Sequence, residues 1–125
     1  MKVLVIEDDP DICHTVREIV ADNGYEASCL QTATSAIAAI RRDHYDLVVL
    51  DIMLGGGSDG FDVLRETAGQ RTCPVIIMSA LNVKKMQDYA TALGATGFLS
   101  KPFNVRDLEL AMSRTLDRHK MIGAT

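Results

Sequence analysis

The sequence predicts a doubly wound α/β domain, a mostly parallel sheet of five strands with helices on both faces. Three observations predict it. A short β-rich run, a turn and an amphipathic helical stripe recur five times, spaced by roughly two dozen residues. Units of that kind call for right-handed crossovers between parallel strands. Three of the runs, KVLVI (2–6), DLVVL (46–50) and PVIIM (74–78), are almost continuously apolar, the pattern of strands covered on both faces. The chain has 125 residues, 47% hydrophobic and 24% charged, which suits one domain with a core that needs no metal or disulfide staple.

Each element has a local reason. After strand 1, Asp9-Pro10 offers an N-cap with proline at the first helical position. Ile12, Val16, Ile19 and Val20 then form a helical stripe, and Asn23-Gly24 ends it. YEASCL (25–30) is strand 2; it alternates and is less apolar than the others, as an edge strand would be. Ala33, Ala36, Ile37 and Ile40 mark helix 2. Phe61, Leu64 and Ala68 mark helix 3, which stops near Gly69. Met86, Tyr89, Ala90 and Leu93 mark helix 4, ended by Gly94. TGFL (96–99) is a short strand 5. Asn104, with Asp107 three residues on, opens helix 5, whose buried face is Leu108, Ala111, Met112 and Leu116. Strands 1, 3 and 4 belong in the centre, which gives the order 2-1-3-4-5. That is the flavodoxin-like (βα)5 three-layer sandwich, with its switch point between strands 1 and 3. The domain is expected to span 1–119, with 120–125 a tail and the chain fraying after Arg118.

Several function classes are disfavoured. Net charge is −4 with no basic stripe, so direct nucleic-acid binding is not expected. No apolar run approaches a membrane span, and Met1-Lys2 leads straight into a strand with no secretory pattern, so a cytoplasmic location is expected. Cys13, Cys29 and Cys73 are widely spaced, with no CxxC, and read as reduced structural thiols. His14, His44 and His119 fall on helical segments and read as surface or packing residues.

The polar residues fall at one edge of the sheet. Strand 1 exits into Glu7-Asp8-Asp9, strand 3 into Asp51, strand 4 into Ser79-Ala80 and strand 5 into Lys101-Pro102. In a doubly wound fold, ligands bind there, beyond the carboxyl ends of the strands. A helix cap accounts for Asp9. Glu7, Asp8 and Asp51 face one another across adjacent strands and would repel at low effective dielectric. Two readings meet that: a divalent cation among hard oxygen ligands, for which Mg²⁺ is suited, or a solvated acidic loop with no metal. Lys101 opposite the acids favours a built pocket, and the proline after it can fix the backbone, in one form as a cis peptide. Asp51 itself poses a question, because an ionised Asp at the end of an apolar strand is costly unless a cation meets it.

These residues resemble those of a receiver domain of the two-component response regulators, over essentially the whole chain. The matching stretches are VIEDD after strand 1, LDIML after strand 3, MSA after strand 4 and KPF after strand 5. The resemblance implies a phosphoacceptor, Asp51. It implies Mg²⁺ held by Asp8, Asp51 and the backbone carbonyl of Met53, with Glu7 reaching the ion mainly through water. Ser79 and Lys101 would meet the phosphoryl oxygens, and Phe98 would be the switch aromatic. The partners implied are a sensor histidine kinase or a histidine phosphotransfer protein. Phosphorylation would reshape the face of helix 4, strand 5 and helix 5, in a monomer or a phosphorylation-dependent homodimer. The domain would catalyse only its own phosphorylation and slow dephosphorylation. Apolar Met53 and Leu81, two residues beyond Asp51 and Ser79, favour the slow reaction. The sequence departs from the pattern at Gly55-Gly56-Gly57-Ser58, which replaces a proline turn and lengthens the loop before Gly60.

Two other readings stand beside this one. A Mg²⁺-dependent phosphohydrolase with an aspartyl intermediate shares the sheet, but such enzymes use a second Asp where this chain has Met53. A receiver-like binding module that is never phosphorylated would not need the full set of acids, hydroxyl and lysine.

Overall fold

The computed structural model describes residues 1–55, 59–80 and 84–123. Five strands and five helices alternate: β1 (Lys2–Ile6), α1 (Pro10–Asp22), β2 (Glu26–Leu30), α2 (Ala33–Arg42), β3 (Leu47–Asp51), α3 (Gly60–Thr67), β4 (Val75–Ser79), α4 (Lys84–Ala92), β5 (Gly97–Ser100) and α5 (Val105–Gly123). The strands form one parallel sheet in the order β2-β1-β3-β4-β5, as the apolar pattern predicts.

Two apolar layers sandwich the sheet. Alternate strand residues point to opposite faces. Val3, Val5, Leu47, Val49, Ile76 and Met78 pack under α1 and α5. Leu4, Ile6, Val48, Leu50, Val75 and Ile77 pack under α2, α3 and α4. β3 is buried along its whole length, whereas β2, at the edge, has no fully buried residue.

The caps follow their residue types. The Asp9 side chain accepts from the N–H groups of Asp11 and Ile12, and Pro10 opens α1. Thr32 caps α2. Asn104 and Asp107 exchange hydrogen bonds at the start of α5, 2.8 and 3.1 Å long. Gly24 and Gly94 follow α1 and α4 at φ of +86° and +103°, which glycine adopts without strain.

Five expectations need correction. Helix α5 does not fray after Arg118; it runs on to Gly123. On α3 the buried residues are Gly60, Val63, Leu64 and Thr67, and Ala68 is the exposed C-cap. Tyr89 of α4 is half-exposed; its ring lies across Phe61, with centroids 4.9 Å apart. His44 lies in the connection after α2, not on a helix. Cys13 and Cys29 do not stand apart: α1 lays Cys13 against Cys29 of β2, with Cα atoms 6.3 Å apart, within reach of a disulfide, and Cys73 is free. Among the described residues, no helix is long and apolar enough to cross a membrane.

Candidate functional site

The carboxyl ends of β1, β3, β4 and β5 bring the charged residues of the sequence reading to one corner. β3 extends one residue further than its apolar run, so Asp51 is its last residue and lies almost fully buried, at 3% exposure. Glu7, one residue past β1, is also buried, at 1%. Asp8 beside it is exposed. Lys101, just past β5, reaches back across the sheet: its Nζ donates to Glu7 Oε2 at 2.8 Å and to Asp51 Oδ2 at 3.0 Å. The burial of Asp51 is thus met by a cation from two strands away. The Lys101-Pro102 peptide is cis, and the Lys101 N–H donates to the Ser79 carbonyl, which continues the β4–β5 ladder beyond the strands.

Backbone groups orient the acids. The Met53 N–H donates to Asp51 Oδ1 at 3.0 Å, and the Asp9 N–H donates to Glu7 Oε1 at 3.2 Å. The Gly55 N–H donates to Asp8 Oδ2 at 3.2 Å, which ties the loop after β3 to the loop after β1. Met53 itself is exposed. Of the glycine loop after it, residues 56–58 lie outside the described residues, as does Leu81.

The charges do not cancel within the site. Glu7, Asp8 and Asp51 each offer a carboxylate oxygen, all within 4.8 Å of one another. One ammonium serves two of them. Burial pushes the Glu7 carboxyl up to about 7; the Lys101 hydrogen bond works against that rise, and the bond and charge of Asp51 add to it. Burial also works against the Lys101 charge, but its hydrogen bonds to Glu7 and Asp51 outweigh it and hold the ammonium above its usual range. The donor set is all hard oxygen and in excess of its counter-charge, the chemistry that fits a small divalent cation such as Mg²⁺.

Ser79 and Phe98 flank this corner on the α4 side. Both line a cavity of about 20 Å³, with Ile52, Phe61, Ile77 and Met86. Phe98 is 36% exposed at its mouth.

Gly60 is a site residue that the sequence reading did not single out. A Cβ there would lie 2.6 Å from the Asp51 carbonyl oxygen and 2.7 Å from Ile52 Cα, so only glycine lets α3 start against the end of β3. The signal was available: Asp59 and Asp62 flank Gly60 at capping-box spacing. They exchange hydrogen bonds of 2.9 and 3.1 Å.

An acidic pocket braced by one lysine thus lies at the carboxyl ends of the strands of a 2-1-3-4-5 sheet, where doubly wound α/β domains bind their ligands. Comparison with known proteins gives the family. The model of the response regulator receiver domain matches residues 3–113, and the chain belongs to that family, the receiver domains of two-component response regulators. The regulatory protein VanRB of Enterococcus faecalis is 36% identical over 108 residues, 86% of this chain and 49% of that protein. The chain therefore spans about half the length of that curated relative. A CheY-like receiver domain protein from Methanospirillum hungatei superposes with a TM-score of 0.88 at 25% identity, covering 96% of both chains. NtrX from Brucella abortus superposes with a TM-score of 0.89 at 34% identity, over 98% of this chain and 28% of that one.

Proposed function

We propose that this domain takes a phosphoryl group from a phosphohistidine onto Asp51, and that the acyl phosphate then reshapes the α4–β5–α5 face for a partner. The observation that carries the reading is the Lys101 ammonium, held between Glu7 and Asp51. Phosphoryl transfer asks for positioning and charge neutralisation more than for covalent help. Asp51 is the nucleophile: a carboxylate oxygen bonds to phosphorus as the P–N bond to the donor imidazole breaks, and the electron pair returns to the ring nitrogen. Lys101, already hydrogen-bonded to Asp51, meets the negative charge on the phosphoryl oxygens. Ser79 supplies a hydroxyl from the neighbouring strand end. Asp8, Asp51 and the Met53 carbonyl would hold Mg²⁺, with Glu7 acting through water. The ion, when bound, neutralises the oxygens of the transferring group. The donor is a sensor histidine kinase or a histidine phosphotransfer protein.

The cavity beside Ser79 limits how the switch works. About 20 Å³ holds about one water and no aromatic ring. Phe98 can therefore turn inward only if Met86 of α4 or Phe61 of α3 gives way. Where Met86 gives way, inward motion of the ring is coupled to α4, and its extent is bounded by the contacts the phosphate adds. Exposed, apolar Met53 next to Asp51 favours slow self-dephosphorylation.

Intact mass after incubation with Mg²⁺ and a small phosphoramidate or acyl-phosphate donor tests the reading. The wild type should gain one phosphoryl group and Asp51→Ala none. No adduct on the wild type would support the unphosphorylated binding module instead. An adduct that persists in Asp51→Ala would remove Asp51 from its role.

A further inference from the structure

Cys13 and Cys29 belong to no part of the site described above. Cys13 is buried on the inner face of α1, and Cys29 is half-buried in the same apolar layer, on the facing side of β2. Their Cα separation of 6.3 Å is one that a disulfide spans. Cys73 packs in the layer on the other side of the sheet, so the pairing is unambiguous.

The cross-link sits at both roots of the acidic loop. The Cys13 N–H donates to the Asp9 carbonyl at 2.9 Å, so Cys13 anchors the last residue of Glu7-Asp8-Asp9. The Glu7 N–H donates to the Leu30 carbonyl at 3.0 Å, and Leu30 directly follows Cys29. A bond between the two cysteines ties these anchors to each other.

We propose that Cys13 and Cys29 form a reversible dithiol–disulfide site, oxidised by low-molecular-weight disulfides, and that its closure stiffens the Glu7–Asp9 loop. Cys29 is the more exposed of the two and attacks first. Its thiolate bonds to one sulfur of the oxidant RSSR and expels RS⁻. The Cys13 thiolate then attacks Cys29 Sγ and expels the second RS⁻. Two thiols lose two electrons, one RSSR becomes two RSH, and the two cysteine protons end on the two leaving thiolates. A dithiol reductant reverses the sequence. The proposal does not depend on the phosphoacceptor reading, and it gives the acidic loop an input that a phosphodonor does not share.

The test uses the full chain carrying Cys73→Ser, reduced and then exposed to oxidised glutathione. Intact mass should fall by two hydrogens and both cysteines should resist alkylation. The thermal midpoint should rise by roughly 10 °C, the scale of closing a loop of this length. Amide exchange at Glu7 and Cys13 should slow relative to the reduced form, and a dithiol should restore every reading. Adding Cys13→Ser should stop the reaction at a glutathione adduct on Cys29. Full alkylation of both cysteines after oxidation would overturn the proposal. So would a persistent glutathione adduct with Cys13 present, or unchanged exchange at Glu7 and Cys13 in the closed form.

Discussion

Helices α4 and α5 flank the same edge strand, β5, yet they are held in different ways. α5 sets Leu108, Met112, Thr115 and Leu116 into the core beneath the sheet. α4 buries a single residue among those described, Ala90. Met86 packs against the same core as Ala90 only part-buried, and two of the helix's ties lie at the surface: the Tyr89 ring against Phe61, and a 2.9 Å hydrogen bond from Arg65 Nη1 to the Tyr89 hydroxyl. Arg65 is in turn paired with Asp62, which caps α3 with Asp59. Apolar burial supplies most of the free energy that fixes an element, and an exposed polar tie supplies little. So α5 is framework, and α4 is the element that a small energy can shift. In the proposed switch, that is the helix the phosphate has to move.

The contrast can be broken first in the core. Leu108→Ala should lower unfolding free energy by about 2–5 kcal/mol, whereas Ala90→Gly should cost about 1 kcal/mol. Denaturant midpoints compare them, and equal losses would show that α4 is as firmly embedded as α5.

A second test separates both helices from the acidic corner between them. The Glu7 carboxyl is raised in the folded chain from 4.5 to about 7, so between those values the folded state holds a proton that the unfolded state has released. Stability of the metal-free protein should therefore fall as pH rises through that window. Thermal midpoints across the window read the slope, and Glu7→Gln should flatten it without changing the difference between Leu108→Ala and Ala90→Gly.

The smallest effect belongs to Tyr89→Phe, which keeps the ring and removes the hydroxyl. It should cost under about 1 kcal/mol globally. Amide exchange in α4 should nevertheless quicken while that of α5 stays the same. Unchanged exchange in α4 would mean that Arg65 does not hold it.

The framework was legible in the sequence, and the ties across it were not. Strand order followed from which runs are continuously apolar and which alternates. Glu7, Asp8, Asp51 and Lys101 were legible as a group because each lies at or within two residues of a strand's carboxyl end, at the same edge. The role of Lys101 as a bridge needed distances, since spacing alone cannot separate it from a lysine in a turn. The α3 stripe was displaced because Thr67 is buried with its hydroxyl bonded to the Val63 carbonyl at 2.6 Å, which lets a polar residue pass as core. Tyr89 was read as part of the helix 4 stripe from its spacing, and its ring is satisfied at the surface, against Phe61. Cys13 and Cys29 could not be paired from sequence, because nothing in a spacing of 16 residues says that α1 lays one against the other.

Where the phosphoryl group lands is the sharpest question for this chain. After incubation with a phosphodonor, reductive trapping of the acyl phosphate and peptide mass mapping should place a single label at position 51, and chelation of divalent cations beforehand should abolish it. A label at Asp8 or elsewhere, or one indifferent to chelation, would contradict the account.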